Sequence, residues 1–151
     1  TEVIGDKMKL VVQKVKKASV TSEGTLTGQI NKGYMVLVGI KVTDTKAEAD
    51  YLAKKLINLR IFEDENEKMN LSIKDVGGEL LLVSQFTLYG DATQGNRPSF
   101  IEAARPEQAN ELYEYFCNQC AKEIKVEKGV FQTHMEVSLV NDGPVTIILE
   151  K

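Results

Sequence analysis

Apolar and polar positions change rhythm several times along this chain, and each rhythm specifies an element. From Met8 the pattern is that of a strand, in which Leu10-Val11-Val12 leads into Val15 and then Ala18-Ser19-Val20-Thr21. Ser22-Glu23-Gly24 carries turn chemistry and β-formers resume over 25–30, which predicts a hairpin. After a second turn at Asn31-Lys32-Gly33, Tyr34-Met35-Val36-Leu37-Val38-Gly39-Ile40 is almost continuously apolar. Such a run reads as a central strand covered on both faces. Thr45-Lys46-Ala47-Glu48 has the spacing of a capping box, and Ala49, Leu52, Ala53, Leu56 and Ile57 continue at helical intervals.

A strand is expected at the end of 58–62, followed by a charged, exposed loop over 63–66. Gly77-Gly78 marks a turn before a further strand over 79–88, whose buried part is Leu80-Leu81-Leu82-Val83. Residues 90–105 form a long connection, and connections of that length in a compact domain often carry function. Pro106 suits the first turn of a second helix, with Ala109, Leu112, Tyr113, Phe116, Cys117, Cys120 and Ile124 as its apolar stripe. Two β-like runs, 135–140 and 145–149, close the chain. The sum is an α+β fold, a barrel-like mixed β-sheet domain with two main helices. Residues 1–7 show no period and read as an N-terminal extension, leaving a single domain over 8–151.

Composition narrows the class. At 151 residues the chain has the length of one domain, and no apolar run approaches the ~20 residues that span a bilayer. No signal-peptide pattern opens the sequence, so the expected location is cytoplasmic, with no membrane partner. The net charge of −3 weighs against nucleic-acid binding over the whole surface, because such proteins are commonly basic. Lys14, Lys16 and Lys17, and Lys54, Lys55 and Arg60, read as solvated faces. Cys117 and Cys120 are spaced as C-x-x-C, but both fall on the second helix's apolar stripe, and a zinc site would need two more ligands. They read as core.

Conventional catalytic motifs are sparse. There is one histidine, His134, and no metal-ligand cluster, nucleophile elbow, phosphate loop or dinucleotide fingerprint. Two short segments remain. Ser84-Gln85-Phe86-Thr87-Leu88 gathers hydroxyls, an amide and backbone N–H groups at the end of a buried strand, where they can hold an oxyanion or orient a substrate without titrating. Asn141-Asp142-Gly143-Pro144-Val145-Thr146 sets a Gly-Pro pair between two β-like runs. Proline donates no hydrogen bond to a ladder and belongs at an edge or a turn, while an X-Pro bond can be held cis. An ordinary turn is the plain reading; a locked one would present carbonyl oxygens in a fixed direction.

Together these two segments resemble the paired motifs of the D-aminoacyl-tRNA deacylases, also called D-tyrosyl-tRNA deacylases. The similarity runs through nearly the whole chain from Met8. It takes in Val11-Val12-Gln13, Ala18-Ser19-Val20, Asn58-Leu59-Arg60-Ile61-Phe62, Lys68-Met69-Asn70-Leu71-Ser72, Val76-Gly77-Gly78, Arg97-Pro98-Ser99-Phe100 and Met135 through Thr146. The resemblance implies a homodimer with active sites at the subunit interface, acting on aminoacyl-tRNA without a metal or other cofactor. In that family the Gly-Pro bond is cis, and each subunit inserts the turn into its partner's pocket. Carried over, the Gly143 and Pro144 carbonyls would face the chiral centre and exclude an L-aminoacyl group, with Asn141 and Met135 among the substrate-binding residues. Ser84, Gln85 and Thr87 would line the pocket, and the Phe86 N–H would hold the ester carbonyl. Glycyl-tRNA, lacking a side chain, would pass the filter. The nucleophile is either Thr87 or a water assisted by the terminal ribose 2′-OH, and a chain with one histidine suits the second.

Three positions depart from the family pattern. Lys14 stands where an arginine usually supports the Gly-Pro loop, and lysine cannot reproduce a planar bidentate clamp. Gln94 replaces a common basic residue before Gly95. Gln132-Thr133-His134 replaces small and acidic residues ahead of Met135. Two other readings compete. One is a non-catalytic nucleic-acid-binding member of the same fold, although the C-terminal extension linked to DNA binding in some animal relatives is not expected after Lys151. The other is a general acyl hydrolase using Ser84 and His134.

Overall fold

Two long strands organise the sheet in the computed structural model, which describes residues 7–151. Strand β1 (Lys9–Ser22) pairs along one edge with β8 (Met135–Glu150) and divides its other edge between two partners. Its first half pairs with β3 (Gly33–Gly39) and its second half with β2 (Thr25–Ile30), all antiparallel. Beyond β3 the sheet turns parallel, through β6 (Glu79–Ser84) and then β7 (Val126–Lys128). β2 approaches β7 from the far side, where the Gln29 N–H donates to Glu127 Oε1 at 3.3 Å. Gly28 permits that approach, since a Cβ there would lie 2.9 Å from the Lys128 carbonyl oxygen. The sheet thus nearly closes into a barrel. Because β3 lies inside it, the apolar run at 34–40 is needed on both faces. Val36 and Val38 join the helix-facing core, whereas Met35 packs with Val15, Ala18, Val20, Ile30, Leu81 and Val83.

The helix-facing core is closed by α1 (Lys46–Asn58) and α2 (Pro106–Ala121), which bring Leu52, Leu56, Leu112 and Phe116 onto Leu10, Val12, Leu80 and Leu82. The α1 capping box forms as its sequence predicts: Thr45 Oγ1 accepts from the Ala47 N–H at 3.3 Å, and Glu48 Oε1 accepts from the Thr45 N–H at 2.7 Å. Cys117 and Cys120 are free thiols buried on α2.

Several expectations change. The strand into which 58–62 leads is β4 (Phe62–Glu63), only two residues long because α1 runs on to Asn58, and paired with β5 (Met69–Leu71). The 63–66 segment is the tip of that small hairpin. β6 ends at Ser84, not Leu88; Val38↔Ser84 is its last pair with β3, and a 3-10 turn (Phe86–Tyr89) follows. β7 was not expected, since three residues are too few to show a period. The runs at 135–140 and 145–149 belong to one strand rather than two strands around a turn. The extension expected at 1–7 falls, over residues 1–6, outside the described residues.

Candidate active site

The site begins where β6 leaves the sheet. The Gln85 N–H donates to the Val38 carbonyl at 2.9 Å, one residue beyond the paired strand, and the chain then folds into the 3-10 turn. Tyr89 anchors the far end of the turn: its buried hydroxyl lies 3.1 Å from the Gly39 carbonyl and 2.6 Å from that of Lys7. Desolvation holds this phenol neutral, well above its ordinary range. Gly39 makes the close packing possible, since a Cβ there would sit 3.0 Å from the Tyr89 ring. In such a turn the Leu88 N–H donates to the Gln85 carbonyl at 3.4 Å. The N–H groups of Phe86 and Thr87 precede the first turn bond and are not used by it.

These groups border a cleft of about 490 Å³. Ser84, Gln85, Phe86 and Thr87 form one side. Phe100, Ala103 and Ala104 come from the long connection, Pro106 and Ala109 from the start of α2, and Phe131, Gln132, Thr133 and Met135 from the turn before β8 and its first residue. Phe86 stands exposed with its ring edge-on to Phe100, 5.1 Å between centroids at 69°. Gln85 Nε2 donates to Thr87 Oγ1 at 2.8 Å, fixing the two side chains to one another. Among the described residues that line the cleft, none has an ionisable side chain. The arrangement offers directed hydrogen bonds in an apolar setting, and no acid or base of its own.

The expected residues therefore separate into two groups. Ser84, Gln85, Phe86, Thr87 and Met135 share the cleft; Asn141, Gly143, Pro144 and Lys14 are not among its lining residues. Pairing between β1 and β8 jumps from Gln13↔Thr146 to Val15↔Asn141, so residues 142–145 bulge opposite Lys14 alone. Gly143 and Pro144 are exposed on that bulge and joined by a cis peptide, with Gly143 at φ +125. The bulge is flanked by a hydrogen bond from Thr146 Oγ1 to Gln13 Oε1 at 2.8 Å. Lys14 is buried and points toward the helix-facing core, its Nζ 5.3 Å from the Phe62 ring centroid. Among the described residues its side chain makes no hydrogen bond to the bulge. His134 is exposed outside the cleft, and its carbonyl accepts from the Glu23 N–H at 3.2 Å. A Ser84–His134 pair has no basis in this geometry.

Sequence reasoning marked the 90–105 connection as functional but did not single out Ala103, Ala104, Ala109 or Phe131 as lining the cleft. Small residues at 103, 104 and 109 were its only trace, and they leave room that becomes visible only when the elements pack.

A family model described as D-Tyr-tRNA(Tyr) deacylase matches residues 11–150. Relatives named D-aminoacyl-tRNA deacylase include one from Koribacter versatilis, 62% identical over 144 residues, or 95% of this chain and 97% of the relative. Another, from Clostridioides difficile, is 56% identical over the same shares of both chains. Among solved structures, one described as "c-Myc DNA Unwinding Element Binding Protein" is similar at a TM-score of 0.90 and 43% identity, covering 95% of this chain and 99% of that one. A second, described as "Structural Analysis of a probable eukaryotic D-amino acid tRNA deacylase", reaches a TM-score of 0.83 at 16% identity, covering 96% of this chain and 100% of that chain, and shares the fold.

Proposed function

This chain belongs to the D-Tyr-tRNA(Tyr) deacylase family, and from that membership we propose that it hydrolyses the ester of D-aminoacyl-tRNA and spares the L form, at the cleft beside residues 84–87. It is a hydrolase acting on aminoacyl-tRNA. The observation that carries the mechanism is the lack of an ionisable side chain among the described residues lining that cleft. Ester hydrolysis needs a nucleophile, somewhere for its proton to go, and donors for the charge that develops on the carbonyl oxygen. The N–H groups of Phe86 and Thr87 serve as those donors, each worth roughly 3–4 kcal/mol when such a donor is well aimed. Thr87 brings a hydroxyl, but its partner Gln85 is an amide with no basicity, whichever way its nitrogen and oxygen are assigned. A threonine without a base is a poor nucleophile. The ribose 2′-OH next to the ester is the better candidate to assist: it relays the proton of the attacking water to the departing 3′ oxygen as the acyl C–O bond breaks, leaving the protein to place and stabilise.

Chirality is selected by exclusion. The Gly143 and Pro144 carbonyls of a partner subunit face the α-carbon, and an L side chain collides with them while a D side chain points away. Their exposure, and their absence from their own chain's cleft, support a homodimer that completes each site across its interface. Glycyl-tRNA has no side chain to reject and is a second substrate. This is translation proofreading in the cytoplasm by one domain over 8–151, and among the described residues no helix is long and apolar enough to cross a membrane.

D-tyrosyl-tRNA and L-tyrosyl-tRNA assayed side by side test the reading. Hydrolysis of the D form is expected to be faster by at least about a hundredfold; equal rates, or no turnover of the D form, reject it. In the same assay Thr87→Ala retains kcat within about tenfold, whereas loss of a covalent nucleophile would abolish turnover. One observation favours a second reading, DNA binding: the similarity, at 43% identity, to a structure whose protein is named for binding a DNA unwinding element. The net charge of −3 bears equally on tRNA and does not separate the two readings; an anisotropy titration against duplex DNA in low salt, expected to show no saturable binding, decides.

A further inference from the structure

Gln132 lines the cleft, takes no part in the chemistry above, and occupies a backbone conformation that glutamine suits poorly. Its φ is +61, in the left-handed region that residues with a side chain rarely adopt. The turn that imposes this is firmly tied. The Thr133 N–H and Oγ1 both donate to the Val130 carbonyl, at 3.4 and 2.8 Å, and Ser22 Oγ donates to Thr133 Oγ1 at 2.5 Å. Glu23 and Glu67 share a positive φ and, like Gln132, are exposed, but neither lines the cleft. Glycine would take the Gln132 conformation without steric penalty. What glutamine adds at this position is its side chain, and an outlier of this kind points to use.

The surroundings define that use. Phe86, Phe100, Phe131 and Met135 make the cleft apolar, and the Gln132 side chain, exposed to solvent beside them, is held by no protein hydrogen bond among the described residues, so its amide is free to meet a ligand. A carboxamide offers a donor and an acceptor side by side. On the 3′ end of an aminoacyl-tRNA the matching group is the adenine edge, where the 6-amino group adjoins a ring nitrogen acceptor. The flat ring suits aromatic walls. The α-ammonium of the aminoacyl group would instead call for a carboxylate, and none is present among the described lining residues. Resting on the deacylase reading, we infer that Gln132 is a substrate-binding residue that pairs with the edge of the terminal adenine and so orients the ester toward residues 84–87.

Gln132→Gly isolates the side chain, because glycine suits the backbone. Wild type and variant are compared on D-tyrosyl-tRNA, and on the D-tyrosyl esters of adenosine and of purine riboside, which lacks the 6-amino group. The variant is expected to keep or raise its melting temperature, to raise KM for D-tyrosyl-tRNA about tenfold, and to change kcat by less than about twofold. Wild type should prefer the adenosine ester about tenfold in kcat/KM, and the variant should lose that preference. Unchanged KM together with an unchanged preference overturns the inference and leaves the deacylase reading standing. No hydrolysis of D-tyrosyl-tRNA by the wild type removes both.

Discussion

Two buried tyrosines face opposite situations. Tyr113 donates its hydroxyl to the Leu82 carbonyl at 2.6 Å, tying α2 to β6. Tyr34, fully buried on β3, stacks on Phe62 at 5.3 Å, and among the described residues its hydroxyl has no hydrogen-bond partner. Burial raises both phenols above their ordinary range. The same substitution should therefore act with opposite sign. Tyr113→Phe is expected to cost about 1 kcal/mol, while Tyr34→Phe should be neutral or stabilise by up to ~1 kcal/mol, read from urea denaturation midpoints. A larger loss at Tyr34 than at Tyr113 would show that the orphaned hydroxyl has been misjudged. Neither outcome could be foreseen from the sequence, where each tyrosine counts only as an apolar position in its run.

Among the elements, α2 shows how far periodicity reaches. Its stripe identified Cys117 and Cys120 as core, and burial pushes the Cys117 thiol up to about 12 and raises Cys120 as well. Both thiols should resist an aromatic disulfide reagent at pH 8 in the native protein and react after unfolding. The fold keeps them neutral, so the unfolded chain releases their protons first. Stability therefore falls as pH climbs above the ordinary value of 9.0 toward 12. Urea midpoints at pH 8 and 10 should show the drop, and a Cys117→Ala/Cys120→Ala double variant should reduce it, the remainder coming from the buried tyrosines, whose phenols are raised in the same way. Periodicity was silent on β7 and on the 3-10 turn after β6. Such short elements exist because neighbours hold them: β7 by its parallel pairing to β6, the turn by the docking of Tyr89 on Gly39.

At the scale of the molecule, the candidate residues lie in two places on one chain, and a site divided between subunits makes a distinctive prediction. Gly143→Ala would bring a Cβ to 2.8 Å from Val145 Cγ2 at φ +125, displacing the bulge and weakening D-over-L discrimination. Phe86→Pro removes the proposed oxyanion N–H at a position whose predecessor, Gln85, is already extended, as a residue before proline prefers. Alone, the Phe86→Pro chain should lose activity by about a hundred- to a thousandfold. Co-expressed in excess with Gly143→Ala chains, it should restore discrimination by supplying intact bulges to their clefts. If each site were built within one chain, adding the impaired chain would change nothing, and light scattering would report a single-chain mass.

Read alone, the sequence was enough to establish the helix stripes, the capping box at Thr45, the doubly covered strand at 34–40 and the two polar segments at 84–88 and 141–146. Each depends on contacts a few residues apart or on a period that repeats, so local pattern is sufficient. The tertiary structure decided that Gly143-Pro144 interrupts one long strand instead of joining two, that Lys14 turns toward Phe62, and that Gln132 faces the cleft on a left-handed turn. These outcomes depend on register between strands more than a hundred residues apart and on which side chains are left without a neighbour once the core has closed. No local rhythm carries that information.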